Sequence, residues 1–278
     1  MQKVVKKGFA LAVCALIMLC GILVPTLTAS AEEATEKRYY DNYSISTYAV
    51  DTQYINYSDR TEDFITTDNR SPLYSANTDL SNSCGPTAGG IVVGFYDKYY
   101  ANLIPNYTSY YPATGKYKTK DSTYIPALMQ TLYTLMRTNV DDVGVSESDC
   151  KAGLKTYVEQ QGYNLSYTSV KSGSSFQFDT VKNAINNNKV ALLFCDEVTL
   201  IDIGFGDKYD AIVSMGVQGN HIMVAYGYST VKYYNGKGVN FRTDNYLVVA
   251  TGFSEPNTCY VQVNTTSWLD SGYVVTIS

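Results

Sequence analysis

The clearest helical pattern in the chain lies in residues 83–100. Apolar residues recur there at helical spacing, as Ile91 and Phe95 do. Pro86 suits a first helical turn, where a missing N–H costs nothing. Three glycines interrupt the pattern: Gly89, Gly90 and Gly94. Each lowers the stability of a helix by about 1 kcal/mol relative to alanine. The pattern therefore predicts a helix that begins at Cys84 and packs closely against another part of the backbone.

The remaining patterns predict a helix-rich part followed by a strand-rich part. Further helices are predicted over 125–136, over 178–186, and from a cap at Ser148 or Asp149 as far as Gly162. Alternating or continuous apolar residues predict strands over 163–170, 190–194, 246–251, 260–263 and 272–277. The polar stretch 230–243 is predicted to be a loop. This order of elements indicates an α+β fold.

The first 31 residues have the pattern of a secretory signal peptide. A basic start is followed by an apolar core over 9–24 and by the small residues 29–31, which suit a cleavage site. The apolar run is too short to favour a membrane span. We therefore expect a secreted mature chain of 247 residues that begins at Glu32 and keeps no stable membrane span.

Composition narrows the classes of partner. Removal of the signal peptide takes three lysines and no acids, which leaves 18 basic against 26 acidic residues and a net charge of −8. Such a chain is expected to avoid nucleic acid and anionic membrane surfaces. The 27 tyrosines favour a strand-rich globular protein. The length suits one large domain or two lobes, and we expect a monomer.

Two residues carry the candidate chemistry. A cysteine at the start of a helix, as Cys84 is predicted to be, is favoured as a thiolate by the helix dipole and the unpaired N–H groups. A thiolate nucleophile needs a base, and the chain contains a single histidine, His221, at the start of an apolar run. We interpret them as a catalytic pair; the alternative is a structural cysteine and an unrelated histidine.

No metal or cofactor is expected. The acidic residues between Asp196 and Asp210 lack the spacing of a calcium loop and are predicted to lie in a solvated loop. No cysteine shows zinc-ligand spacing, either to another cysteine or to His221. An oxidising compartment would permit one disulfide among Cys150, Cys195 and Cys259.

At Cys84-Gly-Pro-Thr-Ala and at His221 with its apolar strand to Gly227-Tyr228, the sequence resembles the papain-like cysteine peptidases. It is most similar to their bacterial branch named after the bacteriocin-leader peptidases (family thirty-nine-like), with Asn220 in place of a glycine. The resemblance covers residues 77–278. It implies a papain-like cysteine peptidase domain there, with two lobes: a helical lobe whose central helix follows Cys84, and an antiparallel β-sheet lobe.

Two family positions differ in this chain. The family places a glutamine five to seven residues before the cysteine, where its amide helps to hold the oxyanion; here Asn77 and Asn82 are the candidates. The family also places an Asp or Asn on the strand after the histidine to orient the imidazole. Thr251 stands at that position; the alternatives are that Asn245 or Asp244 takes this role, or that Cys84 and His221 work as a weaker dyad.

Residues 32–76 have two interpretations. Their polar composition favours a loosely ordered N-terminal arm, whereas the resemblance suggests a propeptide that covers the cleft. For the whole protein, the first hypothesis is a secreted cysteine peptidase acting on peptide or protein substrates. The alternatives are a catalytically inactive binding or adhesion module on the same fold, and a non-proteolytic amidase or acyl transferase.

Overall fold

The computed structural model describes residues 36–40, 51–76, 79–140, 143–217 and 219–278. The predicted signal peptide and Asn77 lie outside these residues. Lys37–Ser278 forms one compact unit. Among the described residues, no helix has both the length and the apolar composition needed to cross a membrane.

The described residues contain four α-helices, and all four predicted helices are confirmed. They are α1 (Cys84–Tyr96), α2 (Tyr124–Leu135), α3 (Glu147–Gln160) and α4 (Phe178–Asn186). The α3 cap differs from the prediction of Ser148 or Asp149. Ser146 is the cap, because its extended backbone lets its hydroxyl accept a hydrogen bond from the Asp149 N–H at 3.0 Å.

Helix α1 is buried along its whole length, and two of the three glycines that interrupt its apolar pattern explain how it fits. A Cβ on Gly94 would lie 2.6 Å from the Tyr74 ring, and a Cβ on Gly89 would lie 2.7 Å from Met136 Cε. Gly90 has ordinary room, with its nearest neighbour Met129 at 3.6 Å. The close packing predicted for this helix is therefore confirmed at Gly89 and Gly94.

The described residues form sixteen strands. They are β1 (Arg38–Tyr39), β2 (Asp51–Asn56), β3 (Asp59–Thr66), β4 (Tyr110–Tyr111), β5 (Lys116–Tyr117), β6 (Val145–Ser146), β7 (Leu165–Ser169), β8 (Lys171–Ser172), β9 (Ser175–Phe176), β10 (Ala191–Asp196), β11 (Thr199–Phe205), β12 (Tyr209–Gly216), β13 (Asn220–Tyr234), β14 (Asn240–Ala250), β15 (Thr258–Gln262) and β16 (Leu269–Ile277).

Ten of these strands form one antiparallel sheet. Its order is β2-β12-β11-β15-β14-β13-β10-β16-β7, and β3 pairs with the distal half of β13. The first half of β13 pairs with β10 instead, so that this long strand supports both parts of the sheet. The fold is therefore α+β with a large antiparallel sheet.

The sheet is covered on both faces, as the alternation along β10 and β13 shows. Leu192 and Ile222 join a core that also contains α1, α2 and α3. Their neighbours Leu193 and Met223 join a second core with Val181 of α4. Because side chains alternate across a strand, successive residues of β13 serve different cores.

Two predicted loops are wrong. The acidic stretch from Asp196 to Asp210 contains most of the β11–β12 hairpin, and Asp210 is fully buried, where it accepts hydrogen bonds from Tyr57 and from the Gly206 N–H. The stretch 230–243 mostly continues β13 and β14, so that only residues 235–239 connect them. Polar residues such as Lys232 alternate there with buried ones, which is a half-buried strand pattern.

The prediction of a loosely ordered arm is wrong for residues 51–66. Strand β2 pairs with β12, and β3 pairs with β13, so that both belong to the main sheet. These pairings join segments far apart in sequence, and local polarity does not reveal them. The propeptide interpretation of residues 32–76 stays a prediction.

Candidate functional site

Cys84 is the first residue of α1 and is 1% exposed. The next residue, Gly85, shows what surrounds this turn of the helix. A Cβ on Gly85 would lie 2.7 Å from Val145 Cγ1 and 3.6 Å from Ile222 Cδ1. The first turn of α1 therefore lies against β6 and against the start of β13, and glycine at position 85 permits this approach.

His221 is the second residue of β13 and is 2% exposed. Its Nε2 lies 2.7 Å from the main-chain oxygen of Thr251. A carbonyl oxygen can only accept a hydrogen bond, so Nε2 must carry the proton. In the neutral imidazole, Nδ1 is then the unprotonated nitrogen, which can accept a proton.

The contact between His221 and Thr251 corrects the sequence prediction in one respect. The prediction places Thr251 where a family side chain orients the ring, but the Thr251 hydroxyl donates to Pro256 O at 2.6 Å and accepts from the Phe253 N–H at 3.1 Å. The hydroxyl stabilises the turn after β14, and the main-chain carbonyl of Thr251 holds the imidazole.

The same turn also contacts α1. Gly252 has a φ of +80°, and a Cβ there would lie 3.3 Å from Thr87 Cγ2 in the first part of α1. The Gly252 oxygen accepts a hydrogen bond from the Ala76 N–H at 2.8 Å. Two contacts therefore join the surroundings of the three site residues. Gly85, next to Cys84, lies near Ile222, next to His221. Thr87, in the first part of α1, lies near Gly252, next to Thr251.

Sequence reasoning missed Phe253. Its ring stacks on the His221 imidazole with centroids 4.5 Å apart and an interplanar angle of 7°. The ring covers one face of the imidazole next to the Nε2–H···O hydrogen bond. A lone phenylalanine in a stretch of turn residues has no periodic signal, so the contact becomes visible only in the fold.

The other polar candidates of the described residues hydrogen-bond to partners of their own. Asn82 has a φ of +55° and donates its amide N–H to Asn139 Oδ1. Asp244 and Asn245 lie on β14 opposite Val231 and Thr230, far along the sheet from His221. Asp244 accepts from Arg242, and Asn245 from Thr230. The suggestion that Asp244 or Asn245 orients the imidazole is therefore wrong.

None of the four cysteines of the described residues forms a disulfide, and all four are buried. Burial, with nearby Glu147, raises the pKa of Cys150 to about 12, and burial with nearby Asp202 does the same for Cys259. Cys195 pairs directly across from His221, and burial with nearby Asp270 raises its pKa well above the usual range. These three thiols therefore stay protonated at neutral pH, which makes them poor nucleophiles.

The part of the chain that the structure describes contains no cluster of His, Cys, Asp and Glu suited to a metal ion. No family model matches this sequence, and no curated protein matches it. Among solved structures, it is similar to the Pseudomonas avirulence protein AvrPphB, with a TM-score of 0.29 and 10% identity. That match covers 84% of this chain and 100% of the other, and at this TM-score it carries no argument about fold or function.

Proposed function

We propose that the protein is a secreted cysteine peptidase that hydrolyses peptide bonds through Cys84 and His221. The observation that carries the proposal is the hydrogen bond from His221 Nε2 to the Thr251 oxygen, beside the first turn of the helix that Cys84 begins. This bond leaves Nδ1 as the proton acceptor of the ring. The signal-peptide pattern of residues 1–31 supports secretion.

The reaction begins with transfer of the Cys84 Sγ–H proton to His221 Nδ1. The thiolate then attacks the amide carbonyl carbon of the substrate, and the carbonyl electron pair moves onto oxygen. The Cys84 N–H, at the positive end of the α1 dipole, holds the oxyanion. His221 returns the proton to the leaving amine, and a thioester remains on Cys84.

In the second half of the reaction, His221 takes a proton from water as the hydroxide attacks the thioester carbonyl. The C–S bond breaks, the acid product leaves, and the proton returns to Cys84. The Nε2–H donates to the Thr251 oxygen in both the neutral and the charged imidazole. The carbonyl dipole thus supports the imidazolium, although it lacks the full charge that a carboxylate would supply.

The inactive binding module is the second candidate. Two observations favour it: Cys84 and His221 are both buried, and the Asn82 amide donates to Asn139 Oδ1. A substrate could reach Cys84 and His221 only by displacing the residues that bury them. An amidase or acyl transferase would use the same pair and differ in the product that leaves the thioester.

Activity of the mature chain on a mixed peptide library, followed by mass spectrometry, tests the proposal. Cys84→Ala should abolish cleavage, and His221→Ala should lower it by about 10²–10⁴-fold through loss of the general base. Cys259→Ala is the matched control, because it removes a buried thiol from the other core and should keep cleavage. Equal cleavage by wild type and Cys84→Ala would overturn the proposal.

Alkylation provides a second readout that does not need a known substrate. All four cysteines are buried, so exposure alone does not favour any of them. At a pH of about 6, where an ordinary thiol is almost fully protonated, iodoacetamide should label Cys84 first. His221→Ala should slow that labelling. If Cys84 reacts no faster than Cys150, Cys195 and Cys259, the binding module becomes the better explanation.

A further inference from the structure

The segment 37–40 lies beside the candidate site as an extended strand. On one edge, Arg38 and Tyr39 pair with Ser146 and Val145 of β6. On the other edge, the Asn220 amide donates to the Arg38 oxygen at 2.7 Å, and the Tyr40 N–H donates to the Asn220 oxygen at 3.1 Å. Main-chain hydrogen bonds on an extended peptide are a general mode of peptide recognition.

Both edges of the segment belong to the surroundings of the proposed catalytic pair. Asn220 directly precedes His221 in β13. Val145 is the residue whose Cγ1 would lie 2.7 Å from a Cβ on Gly85, next to Cys84. The groove that holds residues 37–40 is therefore bounded by the neighbours of Cys84 on one edge and of His221 on the other.

Side chains of this segment alternate in direction, as in any strand. Lys37 and Tyr39 share one side. The Lys37 Nζ lies 2.7 Å from Asp196 Oδ2 and 2.8 Å from Asp270 Oδ2. Tyr39 is buried, its ring centroid lies 5.1 Å from that of Phe194, and its hydroxyl donates to Asp270 Oδ2 at 3.1 Å. Asp270 thus contacts both the ammonium and the phenol.

Arg38 and Tyr40 point to the opposite side and make looser contacts. Arg38 Nη1 lies 3.6 Å from Asp149 Oδ2. The Tyr40 hydroxyl lies where a Cβ on Gly219 would approach within 2.8 Å, and Gly219 has a φ of +73°. The groove therefore selects more strongly for the side chains at positions 37 and 39. The Lys37 ammonium contacts two carboxylates, and the Tyr39 ring is buried.

We infer that the groove between β6 and the start of β13 recognises an extended peptide in which a basic residue stands two positions before an aromatic one. Residues 37–40 are the chain's own copy of that pattern and occupy the groove in this structure. Asp196 and Asp270 select the basic residue, and Phe194 with Asp270 selects the aromatic one. The inference rests on the proposed function only in assigning this peptide as the substrate.

Binding in trans tests the inference without catalysis. The mature chain with Cys84→Ser, Lys37→Glu and Tyr39→Ser should release its own segment. It should then bind a fluorescent Glu-Lys-Arg-Tyr-Tyr-Asp peptide about tenfold more tightly than Cys84→Ser alone, because internal competition is removed. In the peptide, replacing Lys with Glu should weaken binding by about tenfold through like-charge repulsion. Replacing the first Tyr with Ser should weaken it by about tenfold through lost aromatic burial. A matched control is Cys84→Ser with Tyr54→Ser, an exposed tyrosine whose loss should change nothing.

A charge swap tests the same recognition in a second variant, so that the test does not depend on one variant folding. Asp196 is partly exposed, so Asp196→Lys should be tolerated in a released variant that carries Lys37→Ala instead of Lys37→Glu, which would pair with the new lysine. This protein should prefer the peptide with Glu in place of Lys, and added salt should weaken the preference. Equal, weak binding of all peptides to every folded variant would overturn the inference.

The two proposals can fail separately. If the Lys- and Tyr-containing peptide binds the released variant but protein with Cys84 intact never cleaves any peptide, the recognition is supported and the peptidase proposal fails. If protein with Cys84 intact cleaves library peptides without regard to this pattern, and the peptide does not bind, the recognition fails and the peptidase proposal stands.

Discussion

At the scale of single residues, the contact between His221 and Thr251 decides how the imidazole is held. The acceptor is a main-chain oxygen, which every residue type carries. A threonine at this position therefore does not prevent the ring from being oriented. The family resemblance places Thr251 at this point of the chain, but only the backbone path decides which of its atoms faces the ring.

Phe253 provides a residue-scale prediction. Its ring covers the imidazole beside the Nε2–H···O hydrogen bond, so Phe253→Ala should admit water to that bond. We expect peptide cleavage to fall by about tenfold, in the range of lost positioning effects. Because the chain has one histidine, NMR of ¹⁵N-histidine-labelled protein should show faster solvent exchange of the Nε2 proton.

The control for this prediction is Phe253→Trp, which keeps a flat aromatic ring over the imidazole and should keep most of the activity. An unchanged Nε2 exchange rate in Phe253→Ala would show that the ring does not protect the bond. Loss of activity in both variants would point instead to damage of the turn after β14.

At the scale of elements, α1 is held by close contacts at some of its glycines and not at others. Gly94→Ala would place a Cβ 2.6 Å from the buried Tyr74 ring, and we expect the free energy of unfolding to fall by about 1–3 kcal/mol. Gly90→Ala has room, with its nearest neighbour at 3.6 Å, and should raise that free energy by about 0.5–1 kcal/mol.

Urea unfolding followed by circular dichroism measures both variants, and each is the control for the other in the same helix. Equal effects of the two substitutions would contradict the packing described for α1. The contrast depends on tertiary contacts, because helix propensity alone treats the two glycines alike.

At the scale of the whole molecule, buried thiols and partly buried phenols make the fold sensitive to alkaline pH. Burial raises the pKa of Cys150 and Cys259 to about 12, and burial also raises the pKa of Tyr107 and Tyr260 to about 12. In the unfolded chain these groups ionise near their reference values of about 8.5 and 10. Between those values and about 12, the unfolded chain therefore binds fewer protons than the folded one.

Stability falls with rising pH wherever the unfolded state binds fewer protons. The contribution of these groups is fully present below a pH of about 8.5 and is lost as the pH rises toward about 12. We expect the urea midpoint to drop steadily across this window, with tyrosinate absorbance appearing together with unfolding. Cys150→Ala should flatten the dependence, because it removes one of the ionising groups. A constant midpoint up to a pH of about 11 would contradict this prediction.

The sequence by itself determined the elements that have strong local signals. All four helices follow from apolar spacing, and α4 lies over the predicted residues 178–186. Cys84 at a helix start and His221 at a strand start follow from the same kind of signal. Such patterns are readable because a helix or strand buries one face of its own residues.

Only the tertiary structure decided the features that depend on partners distant in sequence. Strands β2 and β3 come from a polar stretch and exist through pairing with β12 and β13. The stacking of Phe253 on His221 and the place of Lys37 between Asp196 and Asp270 likewise join residues that no local pattern connects. Because cross-strand pairing and long-range contacts supply the energy of these features, the fold had to be known before they could be read.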